Sequence, residues 1–235
     1  MDFANIVQNI TIYALPIIFA VCSHEAAHGF MANRLGDPTA RLLGRLTLNP
    51  LRHIDLFGTI LIPLALIISQ AGMIIGYAKP VPVNYFNFKN PKKDMVWVAS
   101  SGPLTNFFLA LLSGILLRLI FFAKPDLIHL ASVDRMPADS GGMVVFLLYP
   151  LLLMLAFSVQ LNIILGVFNL IPIPPLDGGR IMMGFLSDRK AQLLGRLEPY
   201  GFLILLLIII FDPFGLMRKY VFGLMDVLTR LVMFG

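Results

Sequence analysis

Charge is scarce in this sequence. Only 13% of its 235 residues are Asp, Glu, Lys or Arg, and 58% are hydrophobic; soluble domains carry about 25% charged residues. The mean hydropathy is +0.84. That balance excludes an ordinary soluble enzyme and gives a membrane protein. The single cysteine, Cys22, excludes an intramolecular disulfide. No basic stretch precedes the first apolar run, which begins Met-Asp-Phe-Ala, so no cleaved signal peptide is expected. Repeats, low-complexity tracts and appended soluble domains are all missing, which leaves residues 1–235 as one integral-membrane domain.

The net charge of +5 comes from cations gathered between apolar runs. That placement suits cytoplasmic loops and anionic headgroups and gives no nucleic-acid partner. Apolar runs lie near 4–33, 57–76, 95–123, 141–171 and 199–211. A spanning helix needs roughly 20 apolar residues, which the first, third and fourth runs reach. The tail 214–235 mixes Leu, Val, Met and Phe with Arg218, Lys219, Asp226 and Arg230 and reads as an amphipathic interfacial helix.

Loop charges set the orientation. Arg34, Arg41, Arg45 and Arg52 follow the first run, and Lys79, Lys89, Lys92 and Lys93 precede the third; both loops read as cytoplasmic. The more acidic loop 124–140 reads as external, and the segment with Arg180, Arg189, Lys190 and Arg196 as cytoplasmic again. The 57–76 run therefore has the cytoplasm on both sides, so it enters the membrane and returns. The expected fold is an all-α polytopic membrane protein with about 4–6 membrane segments and a short re-entrant helix/β element between the first and third runs.

Against this apolar background, residues 18–30 read IFAVCSHEAAHGF. Two histidines and a glutamate are expensive to bury unless they are paired, metal-bound or in a wet cavity. On a helix, positions i and i+4 share a face, so His24 and His28 can converge on one metal ion, with Glu25 beside them. A surface or chance use of the five letters is the bland reading, weakened by the apolar surroundings. A catalytic zinc normally takes three protein ligands and keeps one position for water.

The third ligand is sought among few candidates. Glu198, the only other glutamate, precedes Pro199 at a helix boundary and suits an end-charge role. His53 lies in a basic loop, where a capping or surface role is expected, and His129 lies in the external loop. Asp177, in NLIPIPPLDGGR at 169–180, remains. Its prolines end the fourth run, and alone Asp177 reads as the next helix N-cap. The first and fourth runs both end on the cytoplasmic side, however, which brings Asp177 to the depth of His24 and His28.

Taken together, His24-Glu25-x-x-His28, SGPLTN at 101–106 and NLIPIPPLDGG resemble the site-2 protease family of intramembrane zinc metalloproteases, in a compact prokaryotic branch without a PDZ or CBS domain. The resemblance covers about residues 15–185, the catalytic core, and leaves 199–235 as C-terminal membrane or interfacial segments. It implies one zinc per chain held by His24, His28 and Asp177, with Glu25 as general base. It also implies a membrane-protein or peptide substrate cleaved in or near a transmembrane helix, in the cell membrane and toward the cytoplasmic side. Asn106 and Asn169 are candidates for substrate binding or an oxyanion donor; for Asn106 an interhelical hydrogen bond is the equal alternative. Asn162 reads as a packing residue. The alternating, proline-rich stretch YAKPVPVNYF at 77–86 reads as an edge strand that clamps an extended substrate. A zinc-binding scaffold without catalysis is the alternative function.

Overall fold

A computed structural model describes residues 3–61, 78–127, 143–212, 215 and 217–234. The central part of the expected re-entrant run, and most of the loop 124–140 with His129, lie outside the described residues.

The described chain is helical and contains no strand. Its main elements are α1 (Phe3–Arg34), α2 (Pro91–Ala123), α3 (Met143–Asn169), α4 (Asp177–Phe185), α5 (Asp188–Gly195), α6 (Gly201–Phe211) and α7 (Gly223–Phe234). Two helices, Pro91–Ala123 and Leu148–Asn169, are long and apolar enough to cross a membrane. A third counts if Asp188–Tyr200 and Leu203–Phe211 form one bent span. That is two to three among the described residues, where the sequence suggested 4–6. Helix α1 has the length, at 32 residues.

Helix α2 shows how the bundle is held. Its N-terminus has Asn90 as N-cap and Pro91 in the first turn, and the Asp94 carboxylate accepts the Asn90 N–H. Its buried face is rich in small or polar residues: Ala99, Gly102, Asn106, Ala110, Ser113 and Gly114. The opposite face exposes Leu104, Phe108, Leu111, Leu112, Ile115 and Leu119. In water this pattern would be inverted. In lipid, apolar side chains gain nothing by leaving the tails, so small residues that let backbones approach drive association. Ala110 and Leu117 of α2 meet Tyr149, Leu152, Val159 and Ile163 of α3, and α7 adds Met225 and Met233. The tail is thus helical as expected and docks on α2 and α3.

The expected edge strand is a correction. From residue 78 the chain runs without regular structure to a 3₁₀ turn at Tyr85–Asn87, forming a strap with no ladder partner among the described residues. Pro80 and Pro82 have no N–H, which removes alternate donors a ladder would use. The strap is tied at single points instead. Lys79 N–H donates to the His53 carbonyl, Val81 N–H to Glu25 Oε2 and Asn84 N–H to Asp37 Oδ2. Asp37 is fully buried and also accepts from the Thr39 N–H and hydroxyl and from Asn87 Nδ2. Burial pushes its carboxyl up, but those hydrogen bonds outweigh it and hold Asp37 below the usual carboxylate range.

Candidate metal centre

His24 and His28 lie one turn apart on α1, and Asp177 reaches them from the first turn of α4. Pro172, Pro174 and Pro175 follow the end of α3 and cannot continue its hydrogen bonding; Pro174–Pro175 is cis. The chain turns back at once because Gly178 and Gly179 have no side chain. A Cβ on Gly178 would collide with the Leu170 and Ile171 carbonyls, and one on Gly179 with Pro174. Leu176 is the N-cap of α4, without a side-chain capping bond, and Asp177 is the first residue of the helix rather than its cap. It faces the histidines instead.

Asp177 Oδ2 lies 3.2 Å from both His24 Nε2 and His28 Nε2, and the two Nε2 atoms are 3.1 Å apart. His24 and Asp177 are buried, and the His28 side chain is only 12% exposed. Ligands about 2.0–2.1 Å from one tetrahedral zinc stand roughly 3.3 Å apart, so this triangle is nearly of the right size.

The protonation states sharpen the fit. His28 Nδ1 lies 2.7 Å from the Val98 carbonyl, which can only accept, so Nδ1 carries the proton. His24 Nδ1 lies 2.6 Å from Asn106 Oδ1, and a chain of bonds fixes that direction. The Ser158 carbonyl can only accept, so it takes Asn162 Nδ2 at 2.9 Å. Asn162 Oδ1 then accepts Asn106 Nδ2 at 2.9 Å, leaving Asn106 Oδ1 to accept from His24 Nδ1. Both rings, when neutral, therefore present Nε2 as a bare lone pair toward Asp177 Oδ2. That oxygen is buried without a hydrogen-bond partner. Three converging lone pairs with no proton between them repel unless a cation sits among them, so the residues present fit a metal ion. Carboxamide and carbonyl partners on the far ring nitrogen are the usual means of orienting ligating histidines.

Gly102 completes the pocket. A Cβ there would stand 2.5 Å from His28 Nε2 and 2.6 Å from His24 Cε1, so only glycine lets α2 press against both rings. Cys22 is buried but does not belong to the ligand group.

The other candidate residues are placed differently. Glu25 follows His24, and its Oε2 accepts the Val81 N–H at 2.8 Å. Asn106 is fully buried with both ends of its amide committed to His24 and Asn162, the interhelical alternative rather than a free donor. Asn169 Nδ2 donates to the Leu165 carbonyl at 3.0 Å. Glu198 pairs with Arg180 at 3.4 Å. His53, for which a capping or surface role was expected, is the C-cap of the 3₁₀ turn Pro50–Arg52; it is buried rather than at the surface, and its Nε2 donates to the Thr47 carbonyl at 2.8 Å. Asn162, read as packing, orients Asn106. Two carboxamides on facing buried positions were the available signal for that pair, whereas the Val98 carbonyl is a backbone atom and leaves none.

A buried cluster of three potential metal ligands, with a glutamate next to one of the histidines, is a candidate metal centre. The chain belongs to Peptidase family M50, which matches residues 12–211, a family of membrane metalloproteases for which zinc is the implied metal. It is similar to "Putative zinc metalloprotease YwhC" of Bacillus subtilis, with 36% identity over 201 residues, 86% of this chain and 80% of that protein. It also resembles "Putative zinc metalloprotease Rip2" of Mycolicibacterium smegmatis (28% identical, 82% of this chain) and of Mycobacterium tuberculosis (29%, 83%). The chain spans 64% and 65% of the length of those two mycobacterial proteins. No solved structure gives a significant match.

Proposed function

We propose that this protein is a multi-pass zinc endopeptidase of the cell membrane, holding one zinc per chain, that hydrolyses peptide bonds in or near transmembrane helices of its substrates. The observation that carries the reading is the convergence of His24 Nε2, His28 Nε2 and Asp177 Oδ2, each 3.1–3.2 Å from the others, inside helices whose outward faces are apolar. Loop charges place the site toward the cytoplasm.

His24, His28 and Asp177 would hold the zinc, which would supply the Lewis acidity to activate a water near neutral pH and to polarise the scissile carbonyl. Glu25 is the general base: its carboxylate takes the proton of the attacking water and returns it to the leaving amine. Asn106 and Val98 hold the two imidazoles by their far nitrogens. Asn106 and Asn169 retain a place near substrate only if their amides exchange partners on binding. The strap 78–84 lies against Glu25, and its prolines keep it extended, which suits it to lie beside an unwound substrate. The catalytic domain comprises about residues 15–185.

The catalytically silent scaffold keeps one foothold: the Val81 N–H gives Glu25 a structural bond of its own. One experiment separates the readings. Zinc content is measured by mass spectrometry for wild type, Asp177→Ala and Glu25→Gln, alongside cleavage of a reconstituted single-span substrate. About one zinc in wild type and Glu25→Gln, loss in Asp177→Ala, and cleavage by wild type alone are expected. Full zinc in Asp177→Ala would remove the three-ligand site. Zinc without cleavage by wild type across a panel of single-span substrates would establish the scaffold.

A further inference from the structure

A cleft of about 550 Å³ lies between the loop after α1 and the outer side of the strap, where Pro80 and Pro82 form one wall. It is separate from the metal centre and shares no residue with it. Its lining combines three cations, Arg45, Arg52 and Lys79, with Leu43, Leu51 and Ile54.

No acidic side chain lines the cleft, and none of the three cations has a carboxylate partner among the described residues. Arg45 reaches across to the strap, where its Nη2 donates to the Pro80 carbonyl at 3.4 Å. The acids of the same loop are turned to backbone N–H groups: Asp37 to Thr39 and Asn84, and Asp55 to Phe57 and Gly58. Three unneutralised cations around one concavity call for an anion, and two arginines favour a group whose oxygens accept in pairs.

The surroundings are apolar. Leu51 is 73% exposed and neighbouring Leu42 75%, and Leu43, Leu48 and Phe57 are also exposed. Clustered leucines at a surface mark a contact with something apolar. Helix α1 ends at Arg34, six residues beyond His28, or about 9 Å along the axis. With the cytoplasmic orientation proposed above, the loop leaves the helix on the side of the membrane that carries anionic lipid.

We infer that this cleft binds one anionic glycerophospholipid, its phosphate between Arg45, Arg52 and Lys79 and an acyl chain along Leu43, Leu51 and Ile54. The apolar rim favours lipid over an acidic peptide, which would leave those leucines uncovered. The inference rests on the chain lying in a membrane and is independent of proteolysis.

The test uses the full chain in a neutral detergent and native mass spectrometry, with dioleoyl-phosphatidylglycerol or dioleoyl-phosphatidylcholine as probe. Wild type should retain one phosphatidylglycerol and no phosphatidylcholine. Retention should fall at least tenfold in R45Q/R52Q/K79Q and stay unchanged in K89Q/K93Q/R189Q, which removes the same charge from exposed positions elsewhere. Equal retention by the cleft variant, equal loss in the control variant, or equal binding of phosphatidylcholine would overturn the inference. Unchanged lipid retention together with lost binding of an acidic substrate peptide would give the cleft to substrate instead. If the triple variant melts early, R52Q alone, at an exposed side chain, should still lower retention several-fold, and no change would count against the site.

Discussion

Asn106 is the most informative residue to change, because it is not itself a proposed metal ligand yet fixes one of them through the far nitrogen of His24. Asn106→Leu removes the acceptor for His24 Nδ1–H at 2.6 Å and the donor to Asn162 Oδ1 at 2.9 Å, both fully inside the bundle. A buried polar group left without a partner costs about 1–3 kcal/mol. The Asn162 part of that cost falls equally on metal-free and metal-bound protein. The His24 part does not. Without metal the ring can turn to find another acceptor, whereas with metal it must keep Nε2 on the site and leave Nδ1–H unsatisfied. The difference should weaken zinc binding by about 10–100-fold, the usual effect of losing such an outer partner. Asn106→Asp keeps an oxygen opposite His24 and should bind zinc within a few-fold of wild type. Competition against a chromogenic chelator reads both constants directly. Equal zinc affinity in Asn106→Leu and wild type would refute the argument that Asn106 sets the His24 tautomer.

Three other outcomes are expected. Gly102→Ala places a methyl 2.5–2.6 Å from atoms of both imidazoles, so zinc content should fall sharply while the protein still extracts as a folded helical bundle; an unchanged zinc content would show that the rings can retreat. Val81→Pro deletes the N–H donated to Glu25 Oε2 and should lower cleavage at least tenfold with zinc retained, since the carboxylate loses its restraint; full activity would show that the strap bond is dispensable. Asp37 is held below its ordinary pKa, so its contribution is present above the unfolded carboxylate value of about 3.9 and disappears as pH falls through the lower folded value. The protection factor of the Asn84 amide in metal-free protein, its exchange rate corrected for the intrinsic pH dependence, should therefore fall on acidification in wild type and be low at every pH in Asp37→Ala. A wild-type profile as flat as the variant's would contradict that linkage.

The convergence of His24, His28 and Asp177 was legible in sequence for two reasons. Helical spacing puts His24 above His28, and the chain has so few other acids and imidazoles that topology alone could single out Asp177. The shape of the strap was misread for a physical reason: alternation of apolar residues signals a strand only if the intervening N–H groups exist, and Pro80 and Pro82 remove them. Of the two roles read for His53, capping holds and surface does not, because a basic loop suggests solvent while the structure closes that loop over the imidazole. What sequence could not show is the direction of the proton chain. It begins at the Ser158 carbonyl, a backbone atom, and runs through Asn162 and Asn106 before it reaches His24. Each carboxamide can face either way in isolation, and only the one-way acceptor at the end forces the choice. The orientation of the two imidazoles therefore rests on two carbonyl oxygens, of Val98 and Ser158, that no side-chain pattern records. Helix packing that moves either carbonyl out of hydrogen-bond range should turn an imidazole and weaken metal binding by the same roughly 10–100-fold as the loss of any outer partner.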